Sequence, residues 1–292
     1  MWESHQVLAL SQANDDELTQ SHIELRPGFT RAFQFTLLYS AHSLCFWIVI
    51  QLLQADDEAL MKTIHLANVA CGFHAGDFET INTTVALAKK YGVRVGAHPS
   101  LPDRQGFGRR EMLIKPEELK ACFVYQIGAI TGFLKMQNLE LNHVKPHGSI
   151  YGQTARSLPL AQAVVAATKT FSTDQYPVAF IGLPGTMHQV ACKEAGIKFI
   201  PEWFADLDYD SEGRLLITKN HDPVSLDTVR ERVRTSTIIG IHREITTNKG
   251  TFLPLSEEGL EEVTICCHSD TPGAVKIAEL VKCIVDQHNE KK

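Results

Sequence analysis

From Asp56 onward the chain repeats one pattern: a short apolar, β-branched segment, a polar loop, then a longer amphipathic segment. Such alternation implies right-handed crossovers and a parallel sheet covered by helices. The first strand reads at Leu66–Ala70. Asp77 is suited to cap the next helix, whose apolar face is Ile81, Val85, Leu87 and Ala88 and whose stop is Gly92. Further strands read at Val93–Ala97, Leu141–Lys145, Val178–Ile181, Ile197–Ile200 and Val263–Cys267. Helices read from Pro116 through Leu134, over Leu160–Thr168, over Met187–Ala195 to the stop at Gly196, from Pro223 to about Val233, and from Pro272 to about Gln287. Residues 236–262 leave room for a hairpin. Six strands, with a seventh to be found near the N-terminus, are nearer a closed barrel than a nucleotide-binding open sheet. Periodicity leaves closure open.

Several classes of function are excluded by what is missing. The net charge is −6, with no Lys/Arg-rich run, so the footprint of a nucleic-acid surface is absent. Met1-Trp2-Glu3 does not open a signal peptide, and the apolar run from Leu44 to Leu53 is about half the roughly 20 residues needed to cross a bilayer. The 7 cysteines show no C-x-x-C spacing and mostly sit in apolar runs, as expected of reduced thiols in a cytoplasmic protein. Neither a Walker motif, a G-x-G-x-x-G turn after a strand nor a G-x-S-x-G elbow occurs.

The chemistry gathers after the strands. Leu66–Ala70 is followed by Cys71-Gly72-Phe73-His74-Ala75-Gly76-Asp77. Val93–Ala97 is followed by His98-Pro99-Ser100 and then Gly106-Phe107-Gly108-Arg109-Arg110. Lys145-Pro146-His147-Gly148 follows the third strand, Glu202 and Asp206 follow Ile197–Ile200, and His268-Ser269-Asp270-Thr271-Pro272-Gly273 follows the last. In a parallel barrel these ends share one rim, where active sites form. Singly, each has a plain structural explanation: Asp77 and Asp270 as helix caps, Lys145 reaching along its stem to solvent, Arg109-Arg110 as a surface pair. Jointly, and with Gly72, Gly106, Gly108 and Gly148 beside them to admit a ligand to the backbone, they predict an enzyme. His74, His98 and His268, with Asp77 or Asp270 as oxygen donors, are an alternative metal set, although no H-x-x-x-H spacing supports it.

These motifs, in this order, resemble the LamB/YcsF family. The resemblance runs from Asp57-Glu58-Ala59-Leu60-Met61 through Ala67–Asp77, Gly92–Ser100, Pro102–Arg110, His143–Gly148 and Glu202–Asp206 to His268–Ala274, covering residues 55–290. It implies an α/β fold, a distorted seven-stranded parallel β/α barrel of glycoside hydrolase/deacetylase type. It also implies ATP-dependent opening of 5-oxo-L-proline to L-glutamate, with ATP as co-substrate and with B and C subunits as partners. On that chemistry Arg109 and Lys145 are the expected cations for phosphate charge, and His74, His98, His147 and His268 the candidate acids and bases. Glu202, Asp77 or Asp270 would orient water or a divalent metal, and Asp206 and the four glycines would complete the substrate site. Metal-dependent deacetylation or another carbohydrate-directed hydrolysis is the alternative activity.

One departure stands out. Family members open with a strand ending in an Asn-x-Asp-x-Gly-Glu-like motif, and here Trp47-Ile48-Val49-Ile50-Gln51-Leu52-Leu53-Gln54 occupies its place. Residues 1–54 therefore read as an atypical N-terminal extension, partly disordered or the product of a mis-predicted first exon, ahead of a barrel over 55–292. The Trp47–Gln54 segment offers an apolar first strand but brings no carboxylate to the rim, which makes a non-catalytic metabolite-binding or scaffold member a third reading.

Overall fold

A computed structural model describes residues 45–52, 57–211, 215–216, 222–233, 244–246, 252–254 and 262–290. Seven parallel strands close into a barrel in the order β1 (Cys45–Leu52), β2 (Leu66–Ala70), β3 (Arg94–His98), β4 (His143–Val144), β5 (Ala179–Gly182), β6 (Phe199–Phe204) and β9 (Glu262–His268). Around them, in chain order, run α1 (Asp57–Met61), α2 (Phe78–Tyr91), α3 (Pro116–Met136), α4 (Ser149–Arg156), α5 (Leu158–Lys169), α6 (Met187–Ala195), α7 (Leu226–Glu231) and α8 (Ala274–Asn289). The hairpin expected within 236–262 is the antiparallel pair β7 (Glu244–Thr246) and β8 (Phe252–Pro254), with Ile245 opposite Leu253.

The first strand lies within the segment that the sequence sets apart. β1 pairs with β2 through Val49↔Leu66 to Leu52↔Val69 and with β9 through Cys45↔Glu262 to Gln51↔His268. It thereby joins two strands that would otherwise be open edges. Residues 1–44 and 53–54 of that segment lie outside the described residues.

Local signals explain the elements. Asp77 accepts the backbone N–H of Thr80 at 2.8 Å and opens α2, and Gly92 closes it at φ 68°. Pro116 opens α3. Two expectations shift. Helix α4 was not legible ahead of Leu160, because Pro159 separates it from α5 and only eight residues carry its pattern. β6 runs on past Ile200 to Phe204, because Pro201 is accommodated opposite Gly182 at the end of β5 instead of ending the strand.

The barrel interior changes character along its axis. Leu66, Ala179, Ile181 and Ile200 form a small apolar cluster apart from the main core, which packs between strands and helices. Two residues further along the same faces come Asn68 and Glu202, both fully buried. Asn68 Oδ1 meets His143 Nε2 at 2.9 Å although β2 and β4 are not neighbours in the sheet; the contact reaches over Gly96 of the intervening β3.

Buried neutral histidines make the fold acid-sensitive. His188 accepts the N–H of Leu183 on Nδ1 at 3.2 Å and faces Thr154 Oγ1 with Nε2 at 2.7 Å, so it has no place for a second ring proton. Burial pushes both His143 and His188 down to about 3. The unfolded state takes up these protons near pH 6.5 and the folded state near 3, so stability falls as pH drops through that window. The midpoint urea concentration is expected to decline steadily from pH 7 to pH 4, and a flat profile would contradict the assignment.

Candidate active site

The C-terminal rim of the barrel carries a small cavity of about 30 Å³, lined by His98, Arg109, Lys145, His147, Gly148, Tyr151, Phe204, Leu207, Leu215 and His268, with Pro146. Of the residues singled out from the sequence, His98, Arg109, Lys145, His147, Gly148 and His268 meet there. Glu202 and Asp206 stand directly behind, each bound to one of the lining cations.

Two buried ion pairs organise the floor. Lys145 leaves the end of β4, and its Nζ lies 2.7 Å from Glu202 Oε1 and 3.1 Å from Cys266 Sγ. Tyr151, from α4, donates to Glu202 Oε2 at 3.1 Å. Burial opposes charge on Lys145, but the neighbouring Cys266 and Glu202 outweigh it and hold the ammonium above its ordinary range. Burial raises the Glu202 carboxyl against the pull of Lys145.

In the second pair, Asp206 Oδ1 accepts His268 Nδ1–H at 2.9 Å, while Oδ2 accepts the His268 backbone N–H at 2.7 Å and the Thr271 hydroxyl at 2.9 Å. Burial alone would lower His268, but Asp206 and Cys266 prevail and raise it to about 10. His268 is thus an imidazolium at neutral pH, its ring stacked on Phe204 at 5.7 Å.

Opposite these, imidazoles cluster. His98 Nδ1 contacts the Lys145 carbonyl at 2.7 Å, His147 Nε2 contacts the Phe107 carbonyl at 2.8 Å, and the remaining nitrogens of the two rings face each other at 3.2 Å. Burial pushes His147 down to about 3 and His98 well below the usual imidazole range. His74 is buried behind them, stacked on His147 at 3.8 Å, and neither of its ring nitrogens has a hydrogen-bond partner. It supports the cavity wall without lining it.

Loop 99–110 is held by Asp103, whose carboxylate accepts Gly106 N–H at 2.9 Å and pairs with Arg110. The loop delivers Arg109, whose side chain is 6% exposed and bonds Asp270 at 2.8 Å across the rim. Asp270 therefore orients Arg109. Asp77 is an exposed helix cap. Gly72, Gly106 and Gly108 shape the loops around the cavity, with Gly106 N–H taken by Asp103 and the Gly108 carbonyl taken by Ser149 N–H at 2.9 Å. Among the described residues no three of His, Cys, Asp and Glu are grouped to hold a metal ion.

Gly148 has φ 69° and ψ −139°, a conformation nearly restricted to glycine, and a Cβ there would meet the Gly108 carbonyl oxygen. Gly148→Ala is expected to destabilise the protein by about 2–4 kcal/mol through strain and overlap and to displace the Arg109 loop. Urea unfolding measures the first effect and ligand affinity the second.

Three participants escaped the sequence reading. Cys266 shares its strand face with Thr264 and His268, and Phe204 shares one with Glu202 and Asp206, so alternation on a longer β6 and on β9 would have found both. Tyr151 lies on the helix that was not anticipated.

The family model of the LamB/YcsF family matches residues 50–292. The chain is 42% identical to the lactam utilization protein lamB of Emericella nidulans over 235 residues, 80% of this chain and 89% of that one. It is 38% identical to the A subunit of 5-oxoprolinase from Methylococcus capsulatus over 227 residues, 78% and 84% of the two chains. The crystal structure of lactam utilization protein from Thermus thermophilus superposes with a TM-score of 0.72 at 31% identity, covering 84% of this chain and 98% of that one. With its motifs, its barrel and its relatives in agreement, the chain belongs to the LamB/YcsF family.

Proposed function

We propose that this protein is the lactam-opening component of a cytoplasmic, ATP-dependent 5-oxoprolinase that converts 5-oxo-L-proline to L-glutamate together with B and C subunits. The observation that carries the reading is the convergence of Arg109, Lys145 and an Asp206-held His268 on one rim cavity, in a chain 38% identical to a protein named as the A subunit of 5-oxoprolinase.

The residue types suit the chemistry. A five-membered lactam is a resonance-stabilised amide and a poor electrophile. Transfer of a phosphoryl group from ATP to its carbonyl oxygen makes an imidate-like carbon with a good leaving group. Water then adds to that carbon, the C–N bond breaks as the ring nitrogen takes up a proton, and a second water hydrolyses the resulting acyl phosphate to release L-glutamate and phosphate. Arg109, oriented by Asp270, offers a guanidinium to the substrate carboxylate. Lys145 and the His268 imidazolium offer donors to the oxygen on which negative charge gathers. The neutral imidazoles of His98 and His147 serve proton transfer. A cavity of about 30 Å³ is far below the few hundred Å³ of typical ligand pockets, so substrate entry requires the cavity to widen.

The test is 5-oxo-L-proline-dependent ATP hydrolysis by the full chain, alone and with B and C subunits, repeated with residues 1–54 replaced by a strand ending in the Asn-x-Asp-x-Gly-Glu-like motif. Lactam-dependent phosphate release in the complex is expected. Silence of both chains in every combination would refute the proposal, and activity of the replaced chain alone would place the defect in residues 1–54.

A further inference from the structure

The backbone of the Arg109 loop is strained at Phe107. Its φ is 55°, in the left-handed region, where a Cβ crowds the following carbonyl and a bulky side chain is an outlier. Among the described residues one other non-glycine side chain shares the region, Asn138 at φ 54°, a type that tolerates it. The Arg109 N–H bonds the Gly106 carbonyl at 3.0 Å, so residues 106–109 form a β-turn, and Gly108, its other central residue, has φ 67°. Two central residues at positive φ are the mark of a type I′ turn, whose first central position favours Asn, Asp or Gly. A glycine at 107 would make the same turn without strain. It would also supply the same carbonyl, which meets His147 Nε2 at 2.8 Å. What phenylalanine adds is the ring, and strain kept beside a ligand cavity points to a use for it.

The ring lies under the guanidinium that the cavity presents. Arg109 Cζ stands 4.9 Å from the centroid of the Phe107 ring. The imidazoles of His147 and His74 meet the same ring edge to face at 5.1 and 5.5 Å and hold it in place. A cation over an aromatic face is attracted by the ring's quadrupole, more strongly where water is excluded, and the Arg109 side chain is buried. Asp270 reaches Arg109 Nη2 at 2.8 Å. A hydrogen bond to one nitrogen fixes a point of the guanidinium, whereas a ring beneath the group fixes its tilt, and tilt decides whether a carboxylate can be met by two parallel N–H groups.

We infer that Phe107 is a positioning residue for the ligand carboxylate: its left-handed backbone is kept so that its ring can orient the Arg109 guanidinium towards the cavity. The inference deepens the proposed function and rests on it only for the ligand, 5-oxo-L-proline. A guanidinium oriented in advance binds without the ordering cost of a loose one. Affinity therefore depends on an aromatic face at position 107, while backbone stability is better served by glycine. The two properties are set against each other in one residue, as at other strained functional positions.

Four variants of the full chain test it: Phe107→Gly, Phe107→Ala, Phe107→Leu and Phe107→Tyr. Thermal melts read the strain. The glycine and alanine variants both lack the ring, and glycine should melt at the higher temperature because it takes the left-handed φ freely. Nitrogen relaxation of the Arg109 Nε–H, assigned with Arg109→Lys, reads the orientation without any ligand. The group should be rigid in wild type and Phe107→Tyr and mobile in Phe107→Gly and Phe107→Leu. Calorimetry with 5-oxo-L-proline should show binding about tenfold weaker in Phe107→Gly and Phe107→Leu, and within about twofold of wild type in Phe107→Tyr. Alanine melting at or above glycine, an Arg109 equally rigid in every variant, or an affinity that follows melting temperature instead of the aromatic face would overturn the inference. If wild type binds no 5-oxo-L-proline, the relaxation measurement still decides: an Arg109 loosened in Phe107→Gly and Phe107→Leu leaves the positioning role standing and counts against the proposed function alone.

Discussion

Asp206→Asn is expected to lower turnover about 10²–10⁴-fold while leaving the barrel folded. Asp206 makes three hydrogen bonds within 2.9 Å, two of them to His268. An asparagine can keep its oxygen towards the His268 backbone N–H and the Thr271 hydroxyl, but then its NH₂ faces His268 Nδ1. That nitrogen must give up its hydrogen, and the imidazolium becomes a neutral ring of the opposite tautomer. The cation beside the cavity is lost although the ring stays in place. A stability signature should accompany the kinetic one. His268 is raised to about 10 in the folded protein from near 6.5 in the unfolded chain. Its contribution is therefore fully present below about pH 6.5 and lost as pH rises through 10. The difference in urea midpoint between wild type and variant should shrink over that interval. A variant with near-normal turnover would remove His268 from the mechanism.

Lys145→Met should be the most damaging single substitution for stability. It leaves the Glu202 carboxylate, fully buried, with Tyr151 in place of an ion pair. Removing one partner of a buried pair costs about 3–5 kcal/mol, a fall in melting temperature of roughly 6–20 °C for a domain of this size. Adding Glu202→Gln removes the stranded charge, so the double variant should regain most of the loss. Neither variant should recover activity, because on the proposed chemistry Lys145 is the donor to the developing oxyanion, a loss of about 10²–10³-fold in turnover. Thermal melts and steady-state rates on the two variants separate these effects. Equal instability of single and double variants would show that Lys145 matters for packing and not for charge.

The fold was legible where local chemistry is self-sufficient. Asp77, Gly92, Pro116 and Gly196 announce helix ends through caps and positive φ, and the β-branched runs between them announce strands. Closure was not legible, because it depends on Cys45–Leu52 pairing with β2 and β9, strands distant in sequence. The rim itself was legible, since strand ends of a parallel barrel must share a face. Roles within it were harder to read. Asp270, read from the sequence as an acid or a helix cap, lies 2.8 Å from Arg109, and His74 stands behind His147. Which of several polar residues on one rim reaches the cavity is set by loop geometry, here by Asp103 gripping Gly106 and Arg110. No local pattern encodes that. Cys266 was missed for a different reason: a cysteine in an apolar run reads as core, and only its neighbours across the lumen make it polar.

The most direct test of the site is a crystal of the protein soaked with 5-oxo-L-proline. Difference density is expected at the rim cavity, with the carboxylate on Arg109, the ring carbonyl within reach of Lys145 and His268, and the cavity widened to admit it. Density for the lactam elsewhere on the chain, with this cavity unchanged, would contradict the account.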